Sequence, residues 1–253
     1  MWLSALAWGA GRVGVLVTGD EAPQYLDVLR SQMQLAEIIA NALGYQGEHL
    51  RIVDAAGFDG ALWQWPPALA PRVAATHAAT ADKRTTMAMA IEHLALHAPT
   101  PRQRIALPEG APFGAIAVDR DACTMCLACV GSCPAGALID STESAQLRLV
   151  ESRCVQCGIC AATCPENAIA LEPGLGLTPD VKAPRVLNEA AIFACTRCAK
   201  PLGTEKMITS MLAKLANHSM FAEAGALDRL KMCADCRVID LYNAEASAHG
   251  RPS

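Results

Sequence analysis

The sequence predicts an α+β chain of 253 residues in three parts. An α/β (βαβ) region comes first, then a small cysteine-rich domain built as a two-fold repeat, then a four-cysteine metal-binding helical module. Two observations carry this division. The run Cys123-x2-Cys126-x2-Cys129-x3-Cys133-Pro134 recurs as Cys154-x2-Cys157-x2-Cys160-x3-Cys164-Pro165, with one constant offset at every cysteine. Ahead of it, short β-branched runs alternate with apolar residues at helical spacing. The expected boundaries are 1–60 for the α/β region, 61–112 for a linker holding a helix, 113–175 for the repeat domain and 185–245 for the module.

In the first part, Leu3–Trp8 reads as the end of a helix. Arg12–Val17 is apolar and β-branched between Gly11 and Gly19, as a short buried strand is. Gln24–Leu43 carries Leu26, Leu29, Met33, Ala36, Ala40 and Leu43 every three or four residues, a helix with Gly44 as its C-cap. His49–Val53 is the next strand, so the three form a parallel, right-handed crossover. The letters Gly9-x-Gly11-x-x-Gly14 match a dinucleotide fingerprint, but that motif must follow a strand and open a helix. Here it precedes the strand, and the glycines are read as turn residues. Met1–Thr18 lacks the early Lys or Arg of a signal peptide and falls short of the ~20 apolar residues of a spanning helix. Buried core, no membrane span and a cytoplasmic protein are expected.

Trp63, Trp65 and Pro66-Pro67 then break the pattern. Asp82 caps a helix running to about His97, with Met87, Ile91 and Leu94 on one face. His93 and His97 share a helix face, but Leu94 stands where a metalloprotease carries its general-base Glu. They are read as surface or linker histidines. Ala98–Pro112 holds four prolines and reads as linker. In the repeat domain, Phe113–Val118 and Ala168–Leu171 are expected to pair as edge strands. Ala137–Asp140 and Leu147–Glu151 are expected to form a hairpin around Ser141–Gln146.

Thiolates are soft ligands for iron–sulfur clusters, zinc and cuprous copper. The run C-x2-C-x2-C-x3-C-P marks a [4Fe–4S] site, and in two-cluster ferredoxins the fourth Cys of each run serves the other cluster. Cluster one is expected on Cys123, Cys126, Cys129 and Cys164, and cluster two on Cys154, Cys157, Cys160 and Cys133. Zinc favours paired C-x2-C units instead. Every ligand position is a cysteine, so no iron is left open to substrate and no catalytic residue is expected. The small or apolar fillers Leu127, Ala128, Val130, Gly158, Ile159, Ala161 and Ala162 would keep both clusters dry.

The remaining cysteines form two C-x2-C pairs, Cys195/Cys198 and Cys233/Cys236, which suit a tetrahedral four-thiolate zinc site. The gap from Cys198 to Cys233 exceeds ordinary zinc-ribbon spacing, so a third cluster and redox thiols stand as alternatives. A helix is expected at Thr204–Ala216, with Met207, Met211, Leu212 and Leu215 on one side. Using cysteines as metal ligands fits a reducing compartment. A net charge of -4 with 18% charged residues argues against a nucleic-acid partner, which wants a basic face.

The centre resembles bacterial two-cluster ferredoxins, with both cysteine runs intact. Leu107-Pro-Glu-Gly-Ala-Pro-Phe-Gly-Ala115, Cys126-Leu-Ala-Cys-Val-Gly131, Cys195-Thr-Arg-Cys-Ala-Lys-Pro-Leu-Gly-Thr204 and Met232-Cys-Ala-Asp-Cys-Arg-Val238 extend the likeness. They resemble a family of proteobacterial 4Fe–4S proteins encoded beside molybdenum-dependent formate dehydrogenases. Residues 1–60 are loosely similar to the tail of the delta subunit of methyl-viologen-reducing hydrogenase, without that subunit's cysteines. The resemblance implies a bacterial dicluster ferredoxin-like domain that relays electrons to or from a dehydrogenase partner. Members of that family are often much longer at the N-terminus, so this chain is expected to be a fragment or a natural short form. An assembly or maturation factor and a redox-regulatory module are the alternatives from other classes.

Overall fold

The computed structural model describes residues 1–141, 144–223 and 225–248. Its elements open with α1 (Trp2–Ala7), β1 (Val13–Val17), α2 (Pro23–Ala42), β2 (Leu50–Asp54), α3 (Phe58–Gln64), α4 (Lys83–Leu96) and β3 (Arg104–Ala106). Then come β4 (Gly114–Val118), α5 (Ala128–Gly131), β5 (Leu138–Asp140), β6 (Gln146–Leu149), α6 (Ile159–Ala162), β7 (Ile169–Gly176) and β8 (Arg185–Glu189). The chain continues through β9 (Ile192–Ala194), β10 (Pro201–Thr204), α7 (Glu205–Leu215), α8 (Ala226–Arg229) and α9 (Ala234–Ala248). The backbone divides into two compact units, Met1–Phe113 with Pro173–Val181, and Gly114–Glu172 with the described residues from Lys182 onward.

In the first unit β1 and β2 pair in parallel, Val13 opposite Leu50 through Val17 opposite Asp54. Parallel neighbours need a crossover, and α2 supplies it. Pro23 opens that helix with a preset φ and no lost hydrogen bond. Its buried stripe of Leu29, Met33, Ala36, Ile39 and Ala40 follows the helical period and meets Leu3, Leu6, Ala90, Ile91 and Leu94 in one core. Gly44 ends α2 with φ +91, and a Cβ there would sit 2.6 Å from Thr100 Oγ1, so only glycine fits. Glu37 on α2 accepts from the backbone N–H of His49 and of Leu50, both at 2.6 Å, and from His49 Nδ1 at 3.1 Å. A carboxylate on the helix therefore holds the entrance of β2.

Asp82 caps α4, accepting from Arg84 N and Thr85 N. Tyr45 donates its buried hydroxyl to Leu94 O at 2.9 Å, so α4 is a core element rather than part of a linker. The stretch Ala98–Pro112, expected as linker, contains β3, which pairs antiparallel with the C-terminal half of β7. Prolines on both sides hid this strand, whose three residues are too few to show a period. Gly9 and Gly11 lie between α1 and β1, and Gly14 lies inside β1, so the glycines precede or begin the strand rather than follow it.

The second unit repeats itself. The offset that carries Cys123 onto Cys154 also carries α5 onto α6, β4 onto β6 and β5 onto the start of β7. Asp119 N donates to Ala168 O at 2.9 Å, and its counterpart Val150 N to Ala137 O at 2.8 Å. β4 lies beside β7, and β5 pairs antiparallel with β6. The tip of that hairpin, Thr142 and Glu143, lies outside the described residues. β8 adds a third strand to β5 and β6, an extension beyond the expected end of the repeat domain at residue 175. Among the described residues no helix is long and apolar enough to cross a membrane.

Leu94 is fully buried, so Leu94→Ala is expected to cost the first unit about 2–5 kcal/mol by transfer and cavity terms. A fall in its denaturant midpoint, read by far-ultraviolet circular dichroism, checks this.

Candidate metal centres

The repeat builds two cavities of similar size, about 360 and 380 Å³ of unfilled space including their mouths. The first is lined by Cys123, Cys126, Cys129 and Cys164, with Met125, Leu127, Leu147 and Ile169. The second is lined by Cys133, Cys154, Cys157 and Cys160, with Ile116, Leu138, Leu149 and Leu171. Each cavity thus takes three cysteines from one repeat and the fourth from the other.

Local backbone conformation explains the convergence. Three cysteines spaced by two residues must coil around one centre, so the intervening residues must reverse the chain. Met125 and Leu127 adopt φ 57 and 59, and their counterparts Gln156 and Gly158 adopt 54 and 76. Left-handed conformation costs a non-glycine residue about 1–2 kcal/mol, so it persists only where the surroundings enforce it. After the fourth cysteines the same mirroring gives Gly136 φ 57 and Asn167 φ 50. There Ala137 N donates to Cys133 Sγ and Ala168 N to Cys164 Sγ, both at 3.3 Å. Where the two short helices meet, Ser132 Oγ and Thr163 Oγ1 are 3.0 Å apart.

The donor set fits iron–sulfur ligation: four thiols per cavity, apolar walls, and N–H groups aimed at sulfur. Burial, with the neighbouring Cys123, Cys126 and Cys160, pushes the Cys129 thiol up to about 11. Burial likewise raises Cys160. Such thiols stay protonated until a bound cation displaces the proton.

The C-terminal cysteines converge on a different scale. Cys195 follows β9 of an antiparallel hairpin, and Cys198 sits in the knuckle before β10. The chain turns there through Ala199 at φ 58, and Cys195 N donates to Lys200 O. Cys233 and Cys236 stand at the start of α9. All four sulfurs lie within 4.8 Å of one another, and Cys198 Sγ is 3.7 Å from Cys233 Sγ. A tetrahedral ion with Zn–S arms of about 2.3 Å has edges of about 3.8 Å. A four-iron cube interposes four metal atoms between its thiolates and needs wider spacing. The spacing of these sulfurs could hold one metal ion. Sequence reading missed the hairpin, whose strands are too short to show a period, and expected only helices here.

The Cys233 N–H, donated to Cys195 Sγ at 3.3 Å, together with those of Arg197 and Cys198, draws the Cys195 thiol down to about 6. Hydrogen bonding to Cys198, then burial, pushes Cys236 up to about 12. The module is tied to the rim of the first cavity. Thr204, which caps α7, donates to Thr124 O at 3.1 Å, Lys206 Nζ donates to Arg120 O, and Lys214 pairs with Glu166 at 2.6 Å. His93 and His97 lie with ring centroids 4.6 Å apart and planes tilted by 49°, and His93 Nε2 meets Val73 O.

Paired cavities of cysteine in a repeated cage define an iron–sulfur domain of ferredoxin-like class. Residues 122–169 match the family model described as a 4Fe-4S dicluster domain, which supports a role in electron transfer. No curated protein matches the chain significantly.

Metal uptake by the C-terminal site should depend on pH more steeply below about pH 6. Cys195 has a depressed pKa, so it carries a proton that the metal must displace only below that value. The slope of log affinity against pH should rise by about one there, as each displaced proton adds one decade per unit. Competition with a chromophoric chelator across that range checks this.

Proposed function

We propose that this chain relays single electrons through two [4Fe–4S] clusters, to or from a molybdenum-dependent oxidoreductase such as a formate dehydrogenase. Cluster one is assigned to Cys123, Cys126, Cys129 and Cys164, and cluster two to Cys154, Cys157, Cys160 and Cys133. A zinc ion is assigned to Cys195, Cys198, Cys233 and Cys236. The supporting observation is the composition of the two cavities, each with three cysteines of one repeat and the fourth of the other.

When bound, the clusters supply one-electron chemistry shared over iron and sulfide. The chain's own residues do the rest. The cysteines lining each cavity would hold the clusters as thiolates, and the pair at Ser132 and Thr163 keeps the two halves in contact. Apolar walls such as Leu147 and Leu149, each 1% exposed, keep the inner side of the cavities dry and lower the dielectric there, while Cys126, Cys157 and the filler Ile159 are exposed at the mouths. Ala137 and Ala168 donate N–H groups to sulfur and so favour the more negative, reduced state. With cysteine at every ligand position, no open coordination site is provided for a substrate, and a relay is the chemistry that remains. The single-ion spacing of the C-terminal sulfurs, close to a zinc tetrahedron's edge, supports a structural metal there. Thiolate ligation throughout fits a cytoplasmic, reducing setting. The dehydrogenase partner rests on the family resemblance of the sequence.

Protein purified without oxygen is expected to hold about eight iron, eight sulfide and one zinc. About twelve iron would instead place a third cluster at the C-terminal cysteines. Cys133→Ala should remove about four iron and spare the other cluster, since it takes one ligand from cluster two alone. If reduced protein passes no electron to any acceptor, formate dehydrogenase included, the relay reading is wrong.

A further inference from the structure

The two cavities match in backbone but not in side chains. The offset between the repeats carries Met125 onto Gln156, at nearly the same φ. Met125 is buried and its side chain has no N–H to donate. Gln156 brings a carboxamide to the equivalent place. Its Nε2 donates to Ala115 O at 2.7 Å and to Cys154 Sγ at 3.4 Å.

The orientation of this amide follows from its neighbours. A carbonyl oxygen and a cysteine sulfur both accept, so the nitrogen must face them. Oε1 is then left buried without a hydrogen-bond partner. An orphaned buried acceptor destabilises a fold, so stability does not account for the arrangement. The amide packs against Gly114, where a Cβ would lie 2.6 Å from Gln156 Cδ and Nε2 and closer still to Glu172 O. One pair of main-chain donors to sulfur is matched between the repeats, Ala137 on Cys133 and Ala168 on Cys164 at equal distance. The Gln156 amide is a side-chain donor at the second cavity for which Met125 offers no counterpart at the first.

We propose that Gln156 is a positioning residue that sets the two clusters at different potentials, with cluster two the higher. An N–H directed at a ligand sulfur stabilises the reduced cluster more than the oxidised one, because the reduced cluster carries one more negative charge. The first electron delivered by an external one-electron donor therefore rests on cluster two. Cluster one is the lower-potential site, next to the docked C-terminal module. The inference rests on the proposed two-cluster reading.

The test is a potentiometric titration with dithionite and mediators, followed by electron paramagnetic resonance, on unmodified protein and on Gln156→Met. The unmodified protein should show two resolved one-electron waves. Gln156→Met, which copies the cluster-one residue, should lower the upper wave and leave the lower one in place. A tenfold loss of preference for cluster two would appear as a fall of about 59 mV in that wave. Gln156→Asn, which keeps the amide but withdraws it by one methylene, should move the same wave in the same direction and serves if the Met variant does not assemble. Coincident waves in unmodified protein, an unmoved upper wave at full iron and sulfide content, or equal shifts of both waves would overturn the assignment. Unmodified protein that cannot hold about eight iron and eight sulfide would overturn the two-cluster reading itself.

Discussion

Four cysteines converge twice within a stretch of chain too short to bury much else. The rest of the second unit follows from that demand. Cys129 lies in the hydrophobic core with Leu138, Leu147, Leu149 and Leu187, and Cys123, Cys133, Cys154 and Cys160 pack against it. Core and ligand cage are therefore one object. In the proposed holo protein, ligand binding contributes directly to folding, as it does wherever a preformed site is absent from the unfolded chain. The left-handed residues Met125, Leu127, Gln156 and Asn167 are the conformational cost of bending the chain around each centre.

Crossing of ligands between repeats has a second consequence. Neither half can complete its own cavity, so the two centres are brought together by construction. The hairpin of β5 and β6, extended by β8, and the neighbouring strands β4 and β7 frame this arrangement. Closely matched backbone frames leave side chains as the main means of telling the centres apart. Gln156 against Met125 is one such difference, and Glu166 against Ala135, with Lys214 on the former, is another.

In the proposed holo protein one ligand chemistry would serve two kinds of centre. The sulfurs of the C-terminal module, within 4.8 Å of one another, suit a single ion, whereas the cysteine-lined cavities of the repeat suit clusters. A β-hairpin presents one pair and a helix start the other. Cys233 N–H is donated across the pair to Cys195 and ties the two presentations together. The hydrogen bonds and ion pair to Thr124, Arg120 and Glu166 make the module part of the cage wall.

The cysteines that line the two cavities were legible because C-x2-C-x2-C-x3-C-P acts locally and constrains the chain whatever surrounds it. The same holds for α2 and α4, long enough for their apolar period and for a cap at Asp82 to show. The parallel pairing of β1 with β2 could be inferred from the order of strand, helix and strand. Three short strands could not be read: β3, β9 and β10 display no period over three or four residues and owe their existence to partners outside them, whereas β5 and β6, just as short, were marked by the polar turn between them. Nor could the spacing of the C-terminal sulfurs, since the long gap between Cys198 and Cys233 leaves the meeting of two pairs to packing. Residue order alone specifies which side chains can hold metal and that they come as a repeat. Folding in three dimensions fixes how far apart the last four cysteines stand and that the Gln156 amide reaches Ala115 O. Those are distances between segments separated along the chain, and they are set by packing rather than by local chemistry.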